Sequence, residues 1–254
     1  MATDTNGSLN TSIQNNIATL TFGHPSGNSF PSDLLARTAT EIEKLGNNKT
    51  ISVILLKSEG NGAFCAGASF DELLSISNTE EGTRFFSGFA NVINAMRKCP
   101  KLIVGRVQGK AVGGGVGLAS ACDYVLATEN ASVKLSELAI GIGPFVIEPA
   151  VSRKIGKTAM AEMTLAAHDW KSAQWAKQNG LFAELFPSIE TLDEGLSDFC
   201  NKLASYNPDA LAEMKKVLWE NTDHWGTLLY ERAAISGTLV LSDFTRKALS
   251  EFKK

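Results

Sequence analysis

The stretch Val112-Gly113-Gly114-Gly115-Val116-Gly117-Leu118-Ala119-Ser120-Ala121-Cys122-Asp123 decides how this chain is read. It follows an apolar run at 102–107 and opens a short apolar helix that ends near Ala121. A helix N-terminus presents free backbone N–H groups and a partial positive charge, so it can hold an anion. Glycines there let a ligand approach the backbone closely, and they equally serve tight packing of helix on strand. The spacing is not GxGxxG, and no acidic residue closes a strand about 20 residues further on, which excludes a dinucleotide fingerprint. Gly156-Lys157-Thr158 looks like the tail of a phosphate loop, but Val151 stands where that motif needs Gly.

On both sides of this stretch, strands alternate with helices. Residues 17–22 alternate apolar and small polar side chains, as a strand does, after a polar arm of about ten residues. Pro31-Ser32-Asp33 starts a helix whose Leu34, Leu35, Ile42 and Leu45 share one face. Residues 51–56 form a continuous apolar run, typical of a strand buried on both faces. A helix over 79–97 follows, with Phe85, Phe89, Val92 and Met96 at helical spacing, and Pro100 stops it. Strands at 102–107 and 124–127 complete an α/β pattern with parallel pairing. Beyond Pro187 only helical periods remain, over 192–203, 208–219, 225–240 and 245–252. The chain divides into an α/β body at 1–190 and a helical packing or oligomerisation region at 191–254.

Composition narrows the function classes. Of 254 residues 44% are apolar, enough for a large core and too many for a disordered chain. The net charge of -3 leaves no electrostatic footprint for nucleic acid or an anionic membrane surface. No apolar run approaches the roughly 18 residues of a transmembrane helix, and the polar start is not a signal peptide. Cys65, Cys99, Cys122 and Cys200 are widely spaced, without a CxxC pair, and the three histidines form no cluster. The expectation is a cytoplasmic protein with reduced thiols, no metal site and no redox cofactor.

Two further stretches carry chemistry. Gly62-Ala63-Phe64-Cys65-Ala66-Gly67-Ala68 follows a buried strand and consists of small residues around one Phe, so its N–H groups can reach a ligand. Ser136-Glu137-Leu138 sets a single carboxylate among apolar neighbours, followed by Gly143-Pro144-Phe145-Val146-Ile147. Desolvation raises a carboxylate pKa and makes it a better general base near neutral pH.

In order and spacing, the three stretches resemble the crotonase superfamily, the enoyl-CoA hydratases and isomerases, over nearly the whole chain. Asn28-Ser29 after His24-Pro25 is similar to that family's first loop. Residues 63–68 and 112–123 are similar to its two oxyanion loops, and Leu249-Ser250-Glu251-Phe252 to its C-terminal end. The resemblance implies a spiral of ββα repeats in two sheets with a C-terminal helical region, assembled as a homotrimer or a dimer of trimers. It implies an acyl-CoA thioester as substrate, with no separate cofactor. By position, the thioester oxygen meets the N–H groups of Ala68 and Gly114, which stabilise an enolate. Ala66, Gly67, Ser69, Gly113 and Phe145 join the substrate site.

The family's hydratases use two glutamates. Here one position holds Glu137 and the other holds Gly117. Hydration needs one group to activate water and another to protonate the α carbon, whereas one base can move a proton between C2 and C4. The chain therefore resembles the one-glutamate isomerases, which shift a 3-enoyl double bond to the 2-position. Phe145 stands where dienoyl-CoA isomerases carry Asp, which disfavours that activity. Bulky side chains at 145–147 dry the site. Two alternatives accompany this expectation: a hydratase recruiting Glu148 or another second group, and a non-catalytic acyl-CoA-binding protein. Ser69 replaces the family's usual Asp. Leu73, Leu74, Phe85 and Phe86 are expected to wall the acyl pocket. Arg246, Lys247, Lys253 and Lys254 could meet the CoA phosphates, although cations on a terminal helix are usually a solvated face.

Overall fold

In the computed structural model, residues 6–251 are described. Phe252, Lys253 and Lys254, singled out above, lie outside them. The chain begins with an antiparallel pair, β1 (Ser8–Gln14) and β2 (Ile17–Gly23), turning at Asn15 and Asn16, both left-handed. The sequence reading put the start of β1 in a polar arm and assigned no element to the rest. β1 is instead an edge strand whose side chains are largely exposed, so it carries no apolar alternation. β2 then runs parallel to β3 (Val53–Ser58), and β3 to β4 (Leu102–Val107). Between them lie α1 (Ser32–Asn47), α2 (Phe70–Ser75) and α3 (Thr79–Lys98). α1 buries Leu34, Leu35, Thr38, Ile42 and Leu45, the three-to-four spacing of one helical face. α3 starts where the Asn78 side chain accepts the Glu81 N–H.

All six residues of β4 are buried, as expected of a central strand covered on both faces. One face meets the main core of α1 and α3. On the other, Val53, Val104 and Leu126 pack on Leu192, Leu196 and Cys200.

After β4 come β5 (Ala111–Val112), α4 (Gly114–Ala121), β6 (Tyr124–Thr128) and β7 (Ser132–Lys134). Then follow a 3-10 turn at Leu138–Ile140, α5 (Glu148–Leu165), β8 (Lys171–Ser172), α6 (Ala173–Gln178) and β9 (Glu184–Phe186). The large sheet has the order β1-β2-β3-β4-β6-β9, and a small one has β5-β7-β8. Single bridges, Phe30 to Ala68 and Cys65 to Ala111, tie the loop after β3 to its neighbours.

The remaining elements are the helices α7 (Ile189–Ala204), α8 (Pro208–Leu218), α9 (Trp225–Leu239) and α10 (Asp243–Glu251). Asp123, at the end of α4, accepts from Lys215 Nζ at 2.7 Å, Trp219 Nε1 at 2.6 Å and the Ile103 N–H at 2.7 Å. This buried carboxylate fastens α8 to the body. α9 lies on α3 at a crossing of two glycines. A Cβ on Gly82 would sit 2.6 Å from the Gly237 oxygen. α10 closes over the 3-10 turn, where a Cβ on Gly141 would meet Phe244 Cδ1 at 2.5 Å. No helix among the described residues is long and apolar enough to cross a membrane.

Candidate active site

The glycine triplet satisfies three close approaches at once. Gly113, at φ 51°, would put a Cβ 2.8 Å from Glu137 Oε1. A Cβ on Gly114 would lie 2.3 Å from the Phe89 ring, and one on Gly115 would lie 2.5 Å from the Cys65 oxygen. Any side chain here would push apart the carboxylate, the aromatic wall or the facing loop. That facing loop is held by Val112 N–H on the Cys65 oxygen and by Phe64 and Cys65 N–H on the Lys110 oxygen. Gly67, at φ 90°, packs on Val112 and Gly114 and donates its N–H to Cys65 Sγ at 3.3 Å. Burial pushes the Cys65 thiol up to about 12, so it stays protonated.

The Phe30 to Ala68 bridge uses the Gly67 oxygen and the Ser69 N–H, leaving the Ala68 N–H outside the ladder. Among the described residues, no main-chain oxygen accepts the N–H of Ala68 or of Gly114, the first residue of α4. Two unused donors, one at a helix N-terminus, therefore sit on two loops in contact across Gly67. That arrangement suits an oxygen on which negative charge develops.

Glu137 precedes the 3-10 turn, its own carbonyl accepting the N–H of Ile140 and Ile142. Its Oε2 is buried without a hydrogen-bond partner among the described residues. Desolvation is the largest influence and raises its pKa from 4.5 to about 7. Glu137, Ala68 and Gly114 line one cavity of about 60 Å³, together with Ala66, Gly67, Gly113 and Phe145. Phe145, Val146 and Ile147 all line this cavity.

Two expected site residues are elsewhere. Ser69 does not line the cavity. Its hydroxyl caps α2 by accepting the Glu72 N–H at 3.4 Å, a task that Ser performs as well as Asp. Glu148 begins α5 outside the cavity and accepts from Ser152 Oγ at 2.5 Å and from Lys157 Nζ, with Arg232 at 3.6 Å. Burial alone would raise its pKa, but these partners together hold it below the usual carboxylate range. Of the expected acyl walls, Leu73 and Phe86 line the cavity, whereas Leu74 and Phe85 do not. Arg246 and Lys247 are exposed on α10.

The position of the second family glutamate is occupied by packing. A Cβ on Gly117 would lie 2.4 Å from Ile147 Cγ2, so this turn of α4 fits flush against Ile147. The sequence reading missed Phe89 and Ser236. Phe89 covers Gly114, and Ser236 reaches the cavity from α9 with its hydroxyl buried and unpartnered among the described residues. Phe89 was visible only as one member of a helical stripe, and Ser236 had no local signal.

Comparison with known proteins gives the family and the fold. The family model for enoyl-CoA hydratase/isomerase matches residues 12–246. The chain is 31% identical to a 2,3-dehydroadipyl-CoA hydratase of Escherichia coli over 217 residues, 84% of this chain and 82% of that one. It is 28% identical to a peroxisomal Delta(3,5)-Delta(2,4)-dienoyl-CoA isomerase of Arabidopsis thaliana, over 75% of this chain and 72% of that one. Its fold matches the crystal structure of an enoyl-CoA hydratase from Bacillus halodurans with a TM-score of 0.88, at 22% identity over 96% of this chain and 99% of that one.

Proposed function

This chain belongs to the enoyl-CoA hydratase/isomerase family, and we propose that within it the protein is a one-carboxylate isomerase converting 3-enoyl-CoA to 2-enoyl-CoA. The observation that carries this reading is the contact of Gly117 with Ile147, which leaves Glu137 as the one carboxylate among the described residues that line the cavity. In the reaction, Glu137 takes a proton from C2. The C2–H electron pair forms the C1–C2 double bond of a dienolate, and charge moves onto the thioester oxygen. The N–H groups of Ala68 and Gly114 receive that charge, each donor being worth roughly 3–4 kcal/mol. The same carboxyl then returns the proton at C4, and the double bond comes to rest between C2 and C3. Atoms and charge balance without water or a cofactor.

A pKa of about 7 suits both halves of this exchange, because the group must accept and then release a proton near neutral pH. The hydratase alternative needs a second group, and the oxygens of Glu148 are engaged by Ser152, Lys157 and Arg232. The non-catalytic alternative leaves a buried carboxyl at Glu137, its Oε2 unpartnered among the described residues, with no use to offset its desolvation. Among the described residues no Lys or Arg lines the cavity, which favours an uncharged, apolar acyl group. For the assembly we propose a homotrimer or a dimer of trimers built through residues 191–254 and located in the cytoplasm. Exposed Phe244 and Tyr230 in the C-terminal helices support an interface there, and sedimentation velocity reads its size.

The test is a paired turnover assay on purified protein. Offered trans-3-enoyl-CoA, the protein forms the conjugated thioester, whose absorbance rises. Offered trans-2-enoyl-CoA, it only approaches the same 2-enoyl/3-enoyl equilibrium from the other side and adds no water. Formation of 3-hydroxyacyl-CoA in the second tube, read by mass, overturns the isomerase reading in favour of hydration.

A further inference from the structure

The Gly143-Pro144-Phe145 turn faces two spaces. On one side is the cavity of about 60 Å³ that holds Glu137. On the other is a groove of about 420 Å³, running along α5 past Met160, Ala161, Thr164 and Leu165. All three residues of the turn line both spaces, so the wall is a single turn of chain thick. Gly143 has no side chain and Pro144 is fixed by its ring. The ring of Phe145 is therefore the one removable body in the wall. It is seated on its own loop, with its Cε2 only 2.5 Å from where a Gly143 Cβ would be.

The groove is mostly apolar. Leu165 is 78% exposed in it, a large apolar surface left to water. Its charged residues are Glu148, Lys157 and Arg232, the one carboxylate paired with both cations, so the groove's remaining lining is left to an alkyl chain.

We propose that Phe145 is a partition that sets acyl chain length, dividing a longer acyl channel into the reaction cavity and the groove on α5. This rests on the acyl-CoA reading above. With the ring in place the acyl group ends at Phe145, and the protein prefers short chains. With the ring removed, an alkyl tail continues onto Met160 and Leu165, and each methylene it buries raises affinity about fourfold.

Binding of saturated butyryl-, octanoyl- and dodecanoyl-CoA, measured by calorimetry, tests this without turnover. The wild type is expected to bind butyryl-CoA tightest. Phe145→Ala should reverse that order. Ala161→Phe, on the exposed face of α5, should leave the wild-type profile unchanged, yet restore the short-chain preference when added to Phe145→Ala. Should Phe145→Ala not fold, Phe145→Val provides the same comparison with a smaller opening. A folded variant that binds butyryl-CoA and keeps the wild-type order overturns the partition. If the wild type binds none of the three, the acyl-CoA reading itself fails.

Discussion

Replacing Glu137 with Gln should separate stability from activity in a pH-dependent way. In the folded protein the Glu137 carboxyl titrates at about 7, against 4.5 for an unburied glutamate. Below pH 4.5 both folded and unfolded chains hold its proton. Between 4.5 and about 7 the folded chain keeps a proton that the unfolded chain has lost, so stability falls as pH rises. The protonated carboxyl's contribution is thus fully present below 4.5 and lost as pH passes through about 7. At about 1.4 kcal/mol per pH unit, the interval is worth about 3 kcal/mol. The Gln variant lacks this titration. Urea unfolding of both proteins, from about pH 5 to about pH 9, should give curves that diverge by about 3 kcal/mol, the variant gaining on the wild type. Any constant offset reflects burial of the Gln amide and not the titration. Over the same range the variant's turnover should be down by about 10²–10⁴-fold, and wild-type kcat/KM should fall about tenfold per pH unit below 7. Parallel unfolding curves would refute the claim that burial sets this pKa.

Gly114→Ala drives a methyl group into the Phe89 ring and displaces a donor, so kcat for 3-enoyl-CoA should fall by about 10²-fold while butyryl-CoA still binds. Gly117→Glu forces its side chain into Ile147 and should unfold under conditions the wild type survives. Gly117→Glu with Ile147→Gly should fold and gain measurable hydration of 2-enoyl-CoA. Glu148→Gln should keep isomerase kcat within about twofold, because Glu148 lies outside the cavity. Asp123→Asn leaves the buried Lys215 ammonium without its counter-charge and should cost about 3–5 kcal/mol, read as a lowered Tm.

The parts of the fold legible in the sequence are those with a strong period. The sequence places β4 at 102–107 and α4 from the glycine triplet to Ala121, and the structure has Leu102–Val107 and Gly114–Ala121. The four C-terminal helices agree within a few residues. What escaped left no period to read. β1 is an exposed edge, and the small sheet uses strands of two or three residues. α5 contains Gly156 at φ 74°, a break inside the helix that scrambles its apolar face. At the site, Glu137, Ala68 and Gly114 were named through the family resemblance, because each stretch read alone suits a turn or a solvated glutamate as well, and the structure brings the three to one cavity. Ser69 and Glu148 misled because a cap and an ion pair use the same residue types as a binding site. Ser236 was invisible because it joins the cavity only through the α3–α9 crossing, far away in sequence.

That crossing has a bearing on how the protein comes into being. The groups proposed as base and oxyanion donors, Glu137, Ala68 and Gly114, are laid down by residue 137, yet the wall that Ser236 supplies arrives only with α9. A chain emerging during synthesis thus has the proposed acid–base residues in place well before it owns a finished pocket, and it encloses that site only when the chain is nearly complete. The same ordering separates two kinds of inheritance. Changes in residues 225–239 can reshape what the pocket admits while the proton-handling loops descend untouched, so new substrates can be acquired without reinventing the reaction.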